Sequence, residues 1–226
     1  MSSTNRGGKR SEADWYSTPP WCTHRLLEKC DLPGGIWYEP CAGEGAIIQA
    51  VKLSLVQPGG CDAGMSHTPV KWYANELRED AEPLLKKWVS PELTTFGDYL
   101  DEALKTPPSE EVRVVITNPP FRIAYEVLQR SLAGFPNAHV ALLLRLNFWG
   151  SVKRRRFLAT FPADTYVMPN RPDFIGHGKT DSPEYAWFVW PPSPRRREAG
   201  IIKVLGETSL EERRKSNQTI VYPVEA

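Results

Sequence analysis

Val112-Arg113-Val114-Val115-Ile116-Thr117-Asn118-Pro119-Pro120-Phe121 is the stretch on which the reading of this chain turns. Residues 112–116 form an apolar run of strand length. Residues 124–132 follow with helical periodicity. A side-chain amide, a double proline and an aromatic ring therefore stand at the carboxyl end of a strand, where open α/β sheets hold their ligands. The prolines fix the backbone direction and remove two donors. Asn118 and the neighbouring carbonyls are left to face a bound amine, and Phe121 can cover a flat ring. That constellation suits chemistry on the exocyclic nitrogen of a base.

Working outward, residues 36–39 and 70–74 read as strands, the second ending at Asn75-Glu76. Residues 46–56 and 80–88 read as helices. Residues 94–96 form a short strand ending at Gly97-Asp98, and 140–146 is the most continuous apolar run, hence a central strand. Alternating strands and helices predict an α/β fold with a mainly parallel sheet and helices on both faces. The last third differs. A short basic helix is expected over 151–158, and strands over 165–168, 185–190 and 201–205 give the sheet an antiparallel component. Both faces of 185–190 are apolar, which places that strand in the core. Residues 57–69 and 191–197 read as loops, and 211–215 as an exposed helix of mixed charge.

The 226 residues suit one core, so a single domain over 13–226 is expected, with 1–12 a disordered basic arm carrying Arg6, Lys9 and Arg10. Apolar residues make up 41% and charged residues 24%, ordinary for a soluble enzyme. With a net charge of +1, nucleic-acid binding has to rest on local patches. No apolar stretch approaches the ~20 residues of a membrane span. Residues 1–12 lack the apolar segment of a secretory signal. The cysteines Cys22, Cys30, Cys41 and Cys61 match no common zinc spacing and read as reduced thiols, so no metal is expected.

Glu39-Pro40-Cys41-Ala42-Gly43-Glu44-Gly45 falls in a strand-to-helix turn. Gly43 and Gly45 permit close backbone approach, and the next helix offers free N–H groups. The turn can hold the charged tail of a nucleotide-like cofactor, or it is a tight structural turn. It is neither the dinucleotide fingerprint nor a P-loop. Glu76 can accept both ribose hydroxyls of an adenosine moiety, or it is a solvated turn carboxylate. Asp98 can accept from an adenine amino group, or cap a helix from Tyr99 onward.

Together these segments resemble the class I S-adenosylmethionine-dependent methyltransferases, especially the DNA adenine-N6 methyltransferases of phages and mobile elements. The resemblance runs from about Asp14 to Trp190 and implies a Rossmann-like fold. It implies that Tyr16-Ser17-Thr18-Pro19-Pro20-Trp21 closes over the methionine part of S-adenosyl-L-methionine. It further makes Glu39 to Gly45 the cofactor loop, Glu76 the ribose acid and Asp98 the adenine acid. Asn118 and the Pro119 carbonyl become the acceptors for the target amine, Pro120 completes the motif, and Phe121 stacks on a flipped base. The glycine turn departs mildly from the many relatives that begin it with aspartate or asparagine. Here a glutamate stands first, so a carboxylate is kept.

The adenine N6 lone pair is delocalised into the ring. Two acceptors that hold its hydrogens turn that lone pair toward the sulfonium methyl. The implied transfer is direct, with positioning and electrostatics supplying most of the gain. The base has to leave its helix or arrive unpaired. Cys41, inside the cofactor turn, is a poor candidate for the nucleophile of a cytosine C5 enzyme.

Lys153, Arg154, Arg155 and Arg156 follow a central strand and form the best phosphate patch, or else a solvated helix face. Arg195 to Arg197 are a second basic candidate. Residues 171–181 read as a glycine-containing loop from which Arg171, His177 and Lys179 can reach DNA; His177 can equally be a surface histidine. Recognition falls to loops around 148–183, which suits a short or relaxed target site. The implied partner is DNA, double- or single-stranded, with RNA the nearest rival; the resemblance implies a bacterial or phage-infected cytoplasm and is compatible with a monomer or a homodimer. Protein glutamine methylation and a non-catalytic nucleic-acid-binding subunit are the remaining readings.

Overall fold

The computed structural model describes residues 17–56, 69–174, 180–193 and 199–218. Tyr16, Cys61, His177, Lys179, Arg195 to Arg197 and the N-terminal arm lie outside the described residues. The strands are β1 Gly35–Glu39, β2 Val70–Glu76, β3 Thr94–Phe96, β4 Val112–Thr117, β5 His139–Arg145, β6 Asp164–Val167, β7 Tyr185–Trp190 and β8 Ile202–Val204. They form one sheet in the order β3-β2-β1-β4-β5-β7-β6-β8. From β3 to β5 every pairing is parallel. β7 then runs antiparallel to both β5 and β6, and β8 lies parallel to β6. The antiparallel component expected in the last third is present.

Parallel neighbours need crossover segments, and these cover the two faces. The helices are α1 Pro20–Leu27, α2 Ala46–Val56, α3 Glu82–Leu85, α4 Ala124–Gly134, α5 Arg155–Thr160 and α6 Leu210–Gln218. Strand alternation divides the core. Trp37, Trp72 and Trp187 pack with α1 and α2 residues such as Leu26 and Ile47. Tyr38, Phe188 and Trp190 pack on the other face with α4 residues such as Val127 and Leu128. β7 is buried along its whole length, as its apolar faces require. The Trp187 indole N–H donates to the Cys22 carbonyl at 2.8 Å, pinning α1 to the sheet.

Three elements differ from expectation. The helix over 80–88 breaks into a 3₁₀ turn, Glu79–Ala81, and the four-residue α3. Pro83 suits a first helical turn, but a single turn fixes several residues for few hydrogen bonds. The basic helix begins at Arg155 rather than at 151. Pro20–Leu27 is a helix that the sequence reading did not assign; Pro20 stands at its first position.

The chain order turns back between β1 and β4. β1 leads outward to β2 and β3, whereas β4 leads the other way to β5. In such sheets the crevice beyond the carboxyl ends of the two reversing strands is the natural ligand position. Glu39 closes β1, and Asn118 follows β4 directly.

Candidate active site

A cavity of about 710 Å³ opens at this switch point, within the range of roughly 300–1,000 Å³ usual for small-molecule sites. Its first half is built by the turn between β1 and α2. Gly43 and Gly45 have φ of 54° and 83°, values that L side chains rarely take. A Cβ on Gly45 would stand 3.0 Å from Trp88 Cδ1 and 3.2 Å from Leu85 Cδ1. The Gly43 N–H donates to Glu76 Oε2 at 2.7 Å, and the Arg78 N–H to Glu76 Oε1 at 3.1 Å. Glu76 thus joins the ends of β1 and β2.

Asn75, buried beside it, ties three loops together. Its amide nitrogen donates to the Pro40 and Gly97 carbonyls, each at 3.1 Å, and its oxygen accepts from the Thr95 hydroxyl at 2.9 Å. The Ala42 N–H donates to the Asn75 carbonyl at 2.8 Å.

Glu39 is buried at the cavity wall, and its Oε2 has no hydrogen-bond partner. Burial raises its pKa well above the usual carboxylate range, and the nearby Glu76 charge adds to the rise; the Ile48 backbone offsets part of it. Burial likewise raises the Cys41 thiol, with Glu76 and Glu39 adding to it. That direction disfavours the nucleophilic thiolate at Cys41.

The second half is the Asn-Pro-Pro-Phe segment with the end of β5. The Asn118 amide nitrogen donates to the Thr18 hydroxyl at 3.1 Å, and Thr18 is buried. Asn118 Oδ1 is buried and unpartnered. A buried acceptor without a donor is costly, and this one belongs to a residue of the cavity wall. Phe121 packs against Tyr185, with ring centroids 5.7 Å apart. The Arg145 guanidinium lies 4.6 Å from the Phe121 centroid. Arg145 Nε donates to the Tyr185 hydroxyl at 3.3 Å, and that hydroxyl donates to Asp181.

The cavity brings together Thr18, Glu39, Pro40, Cys41, Ala42, Gly43, Glu76, Asp98, Asn118, Pro120 and Phe121. Pro19, Trp21, Gly45 and Pro119 are not among its lining residues. Pro19 precedes α1, and Trp21 is buried in the core. Asp98 caps a turn rather than a helix: its Oδ1 accepts the Leu100 N–H at 2.9 Å, and no helix begins there. Of the basic run, Lys153 pairs with Glu126 at 2.9 Å, and Arg154 donates to the Phe148 carbonyl at 2.9 Å. Arg155 and Arg156 are exposed. Arg171 pairs with Glu184.

Sequence reasoning missed Arg122, Arg145, Asn75 and Arg78 as cavity residues. Arg122 was within reach, since it adjoins Phe121. Arg145 ends the strand beside β4 and carried no local signal.

The fold is that of the class I methyltransferases. No family model and no curated protein matches the chain. Solved structures do. A type I restriction-modification methyltransferase subunit from Streptococcus thermophilus is 17% identical, with 77% of this chain and 43% of that one covered and a TM-score of 0.54. The type I EcoKI M protein is 12% identical over 85% of this chain and 47% of its own, with a TM-score of 0.56. A Pyrococcus horikoshii protein, provisionally named an RNA methyltransferase, is 15% identical over 83% and 92%, with a TM-score of 0.51. The chain spans less than half the length of the two type I subunits.

Proposed function

We propose that this protein transfers a methyl group from S-adenosylmethionine to the N6 amino group of adenine in DNA. One observation carries the reading. Asn118 Oδ1, the acceptor that the motif would offer to an amine, is buried and unpartnered, and Asn118 is a residue of the switch-point cavity wall. The names of the similar structures are compatible with a nucleic-acid acceptor.

The residues present fit the cofactor. S-adenosylmethionine, when bound, supplies an electrophilic methyl group on a sulfonium centre. Glu39 offers an unpartnered carboxylate oxygen to its ammonium group, and Gly43 leaves the turn free of side-chain bulk. Glu76 offers acceptors to the ribose, and Asp98 to the adenine amino group. Ser17 and Thr18 line the cavity at the head of the segment read as closing over the methionine part.

On the acceptor side, Asn118 Oδ1 holds one N6 hydrogen, and the carbonyl of Pro119, which adjoins the lining residues Asn118 and Pro120, is the acceptor that the motif offers to the second. Their pull withdraws the nitrogen lone pair from the ring and exposes it. Phe121 stacks on the extruded base. No residue has to remove a proton before attack, and the proton leaves to water afterwards. Lys153, Arg154, Arg155, Arg156 and Arg171, with the loops around 148–183, meet the polynucleotide backbone.

The test is transfer of tritiated methyl from S-adenosylmethionine to double-stranded DNA, single-stranded DNA and RNA, followed by nucleoside analysis. N6-methyladenine in DNA is expected, reduced at least ~100-fold in Asn118→Ala, the order of loss when a preorganised polar group at the reacting centre is removed. Methyl found only in RNA would replace the DNA reading.

A further inference from the structure

The charged side chains lining the cavity are segregated. Glu39, Glu44, Glu76 and Asp98 stand on the side built by β1, β2 and β3. Arg78 on that side is already engaged, lying 3.6 Å from Glu76 and 3.4 Å from Asp80. Across the switch point, Arg122, the residue after Phe121 in the chain, and Arg145, whose guanidinium lies over the Phe121 ring, both line the cavity. Acids on one half suit a cationic cofactor. Two arginines beside the stacking ring suit an anion attached to the stacked group.

The two arginines differ in what holds them. Arg122 is exposed and has no ion-pair partner among the described residues. Arg145 is held at the stacking ring: its Nε donates to the Tyr185 hydroxyl, its Nη2 pairs with Asp181 at 3.8 Å, and its guanidinium carbon lies 4.6 Å from the Phe121 centroid. Guanidinium groups match phosphate oxygens in geometry as well as charge. The basic run beyond β5 is differently placed. Lys153 pairs with Glu126 at the surface, and Arg154 lies over Phe148 at 4.3 Å while donating to its carbonyl.

Resting on the adenine reading above, we propose that Arg122 and Arg145 bind the phosphodiester groups flanking the extruded nucleotide. They form a clamp at the cavity mouth, distinct from the 153–156 run. The ligand is the backbone phosphate of a polynucleotide, so the acceptor is a nucleotide within a chain rather than a free base or a peptide amide.

The experiment measures binding of a fluorescein-labelled single-stranded oligonucleotide by anisotropy across a salt series. Wild type, Arg122→Gln and Arg145→Gln are compared on oligonucleotides with and without methylphosphonate at the two linkages flanking the single adenine. Each lost phosphate contact in a single strand lowers the slope of log K against log salt by about 0.7. Each variant is expected to show that drop, with roughly 3- to 10-fold weaker binding at low salt. Calorimetric affinity for S-adenosylmethionine should stay within about twofold of wild type. On the methylphosphonate oligonucleotide the variants should match wild type, because the charge they read is gone.

An unchanged slope, or variant and methylphosphonate losses that multiply, would overturn the clamp. Methyl transfer by the wild type is assayed in parallel. Absence of N6-methyladenine would overturn the adenine reading alone, since the anisotropy slopes still decide whether these arginines bind phosphate.

Discussion

Glu39 is a buried carboxyl with one oxygen that has no hydrogen-bond partner. A carboxyl sealed from water beside a second carboxylate resists ionising. Its folded pKa is raised, whereas in the unfolded chain it takes the ordinary value of about 4.3. Between those two values the folded protein keeps a proton that the unfolded chain has released. The stability this contributes is complete below the ordinary value and is lost as pH rises through the window. Glu39→Gln keeps the shape and stays neutral throughout. The melting temperature of the ligand-free variant should therefore exceed that of the wild type by a margin that grows from pH 5 to pH 8. Differential scanning fluorimetry at several pH values measures it. A margin constant with pH would mean that Glu39 is ionised over the whole range. On the proposed function the same variant should bind S-adenosylmethionine more weakly, because an amide cannot ionise to pair with the cofactor's ammonium.

At the scale of elements, the β1–α2 turn is the piece most sensitive to a small change. Gly45 has a left-handed backbone and abuts Trp88 and Leu85. Gly45→Ala should cost about 1–2 kcal/mol from the backbone alone, and the contact with Trp88 adds to it. Urea unfolding should show a lower midpoint with unchanged m. A loss under about 0.5 kcal/mol would mean that the indole moves aside and the turn relaxes. The glycines of this turn were legible from the sequence because few residues can take such a backbone. So were α2, β4 and β7, whose patterns are strong; β4 is buried except at Arg113, and β7 throughout. The α3 region was not, since a one-turn helix leaves little periodic trace. The site was legible only in part. Glu39, Glu76 and Asn118 sit at strand ends, and strand ends can be read locally. Thr18 meets Asn118 across 100 residues of chain, and Arg145 reaches Phe121 from a neighbouring strand. Contacts of that kind follow from strand order, which no local pattern encodes.

At the scale of the whole molecule, the carboxyl-terminal end supports the cavity from a distance. α6 packs against α1; Thr18, which holds Asn118, lies just before α1. Arg25 joins these parts. Its Nε donates to the Thr208 hydroxyl at 2.9 Å and its Nη2 to the Glu207 carbonyl at 3.1 Å. It also pairs with Glu28 at 2.8 Å and with Glu212 at 3.2 Å. The Arg25 side chain is 17% exposed, whereas that of Glu212 is 58% exposed. A hydrogen bond from a charged donor contributes roughly 1.5–3 kcal/mol, whereas an exposed ion pair contributes roughly 0.2–1 kcal/mol. Arg25→Met should therefore destabilise the protein by about 1–3 kcal/mol in urea unfolding, and Glu212→Gln by less than about 1 kcal/mol. Equal losses would mean that the ion pair, not the bonds to Thr208 and Glu207, fastens α6. If α1 transmits this support, Arg25→Met should also lower methyl transfer at temperatures where the variant is still folded, with Glu212→Gln close to wild type. Full activity in folded Arg25→Met would limit the role of α6 to stability and leave Trp187, through Cys22, as the anchor that sets α1.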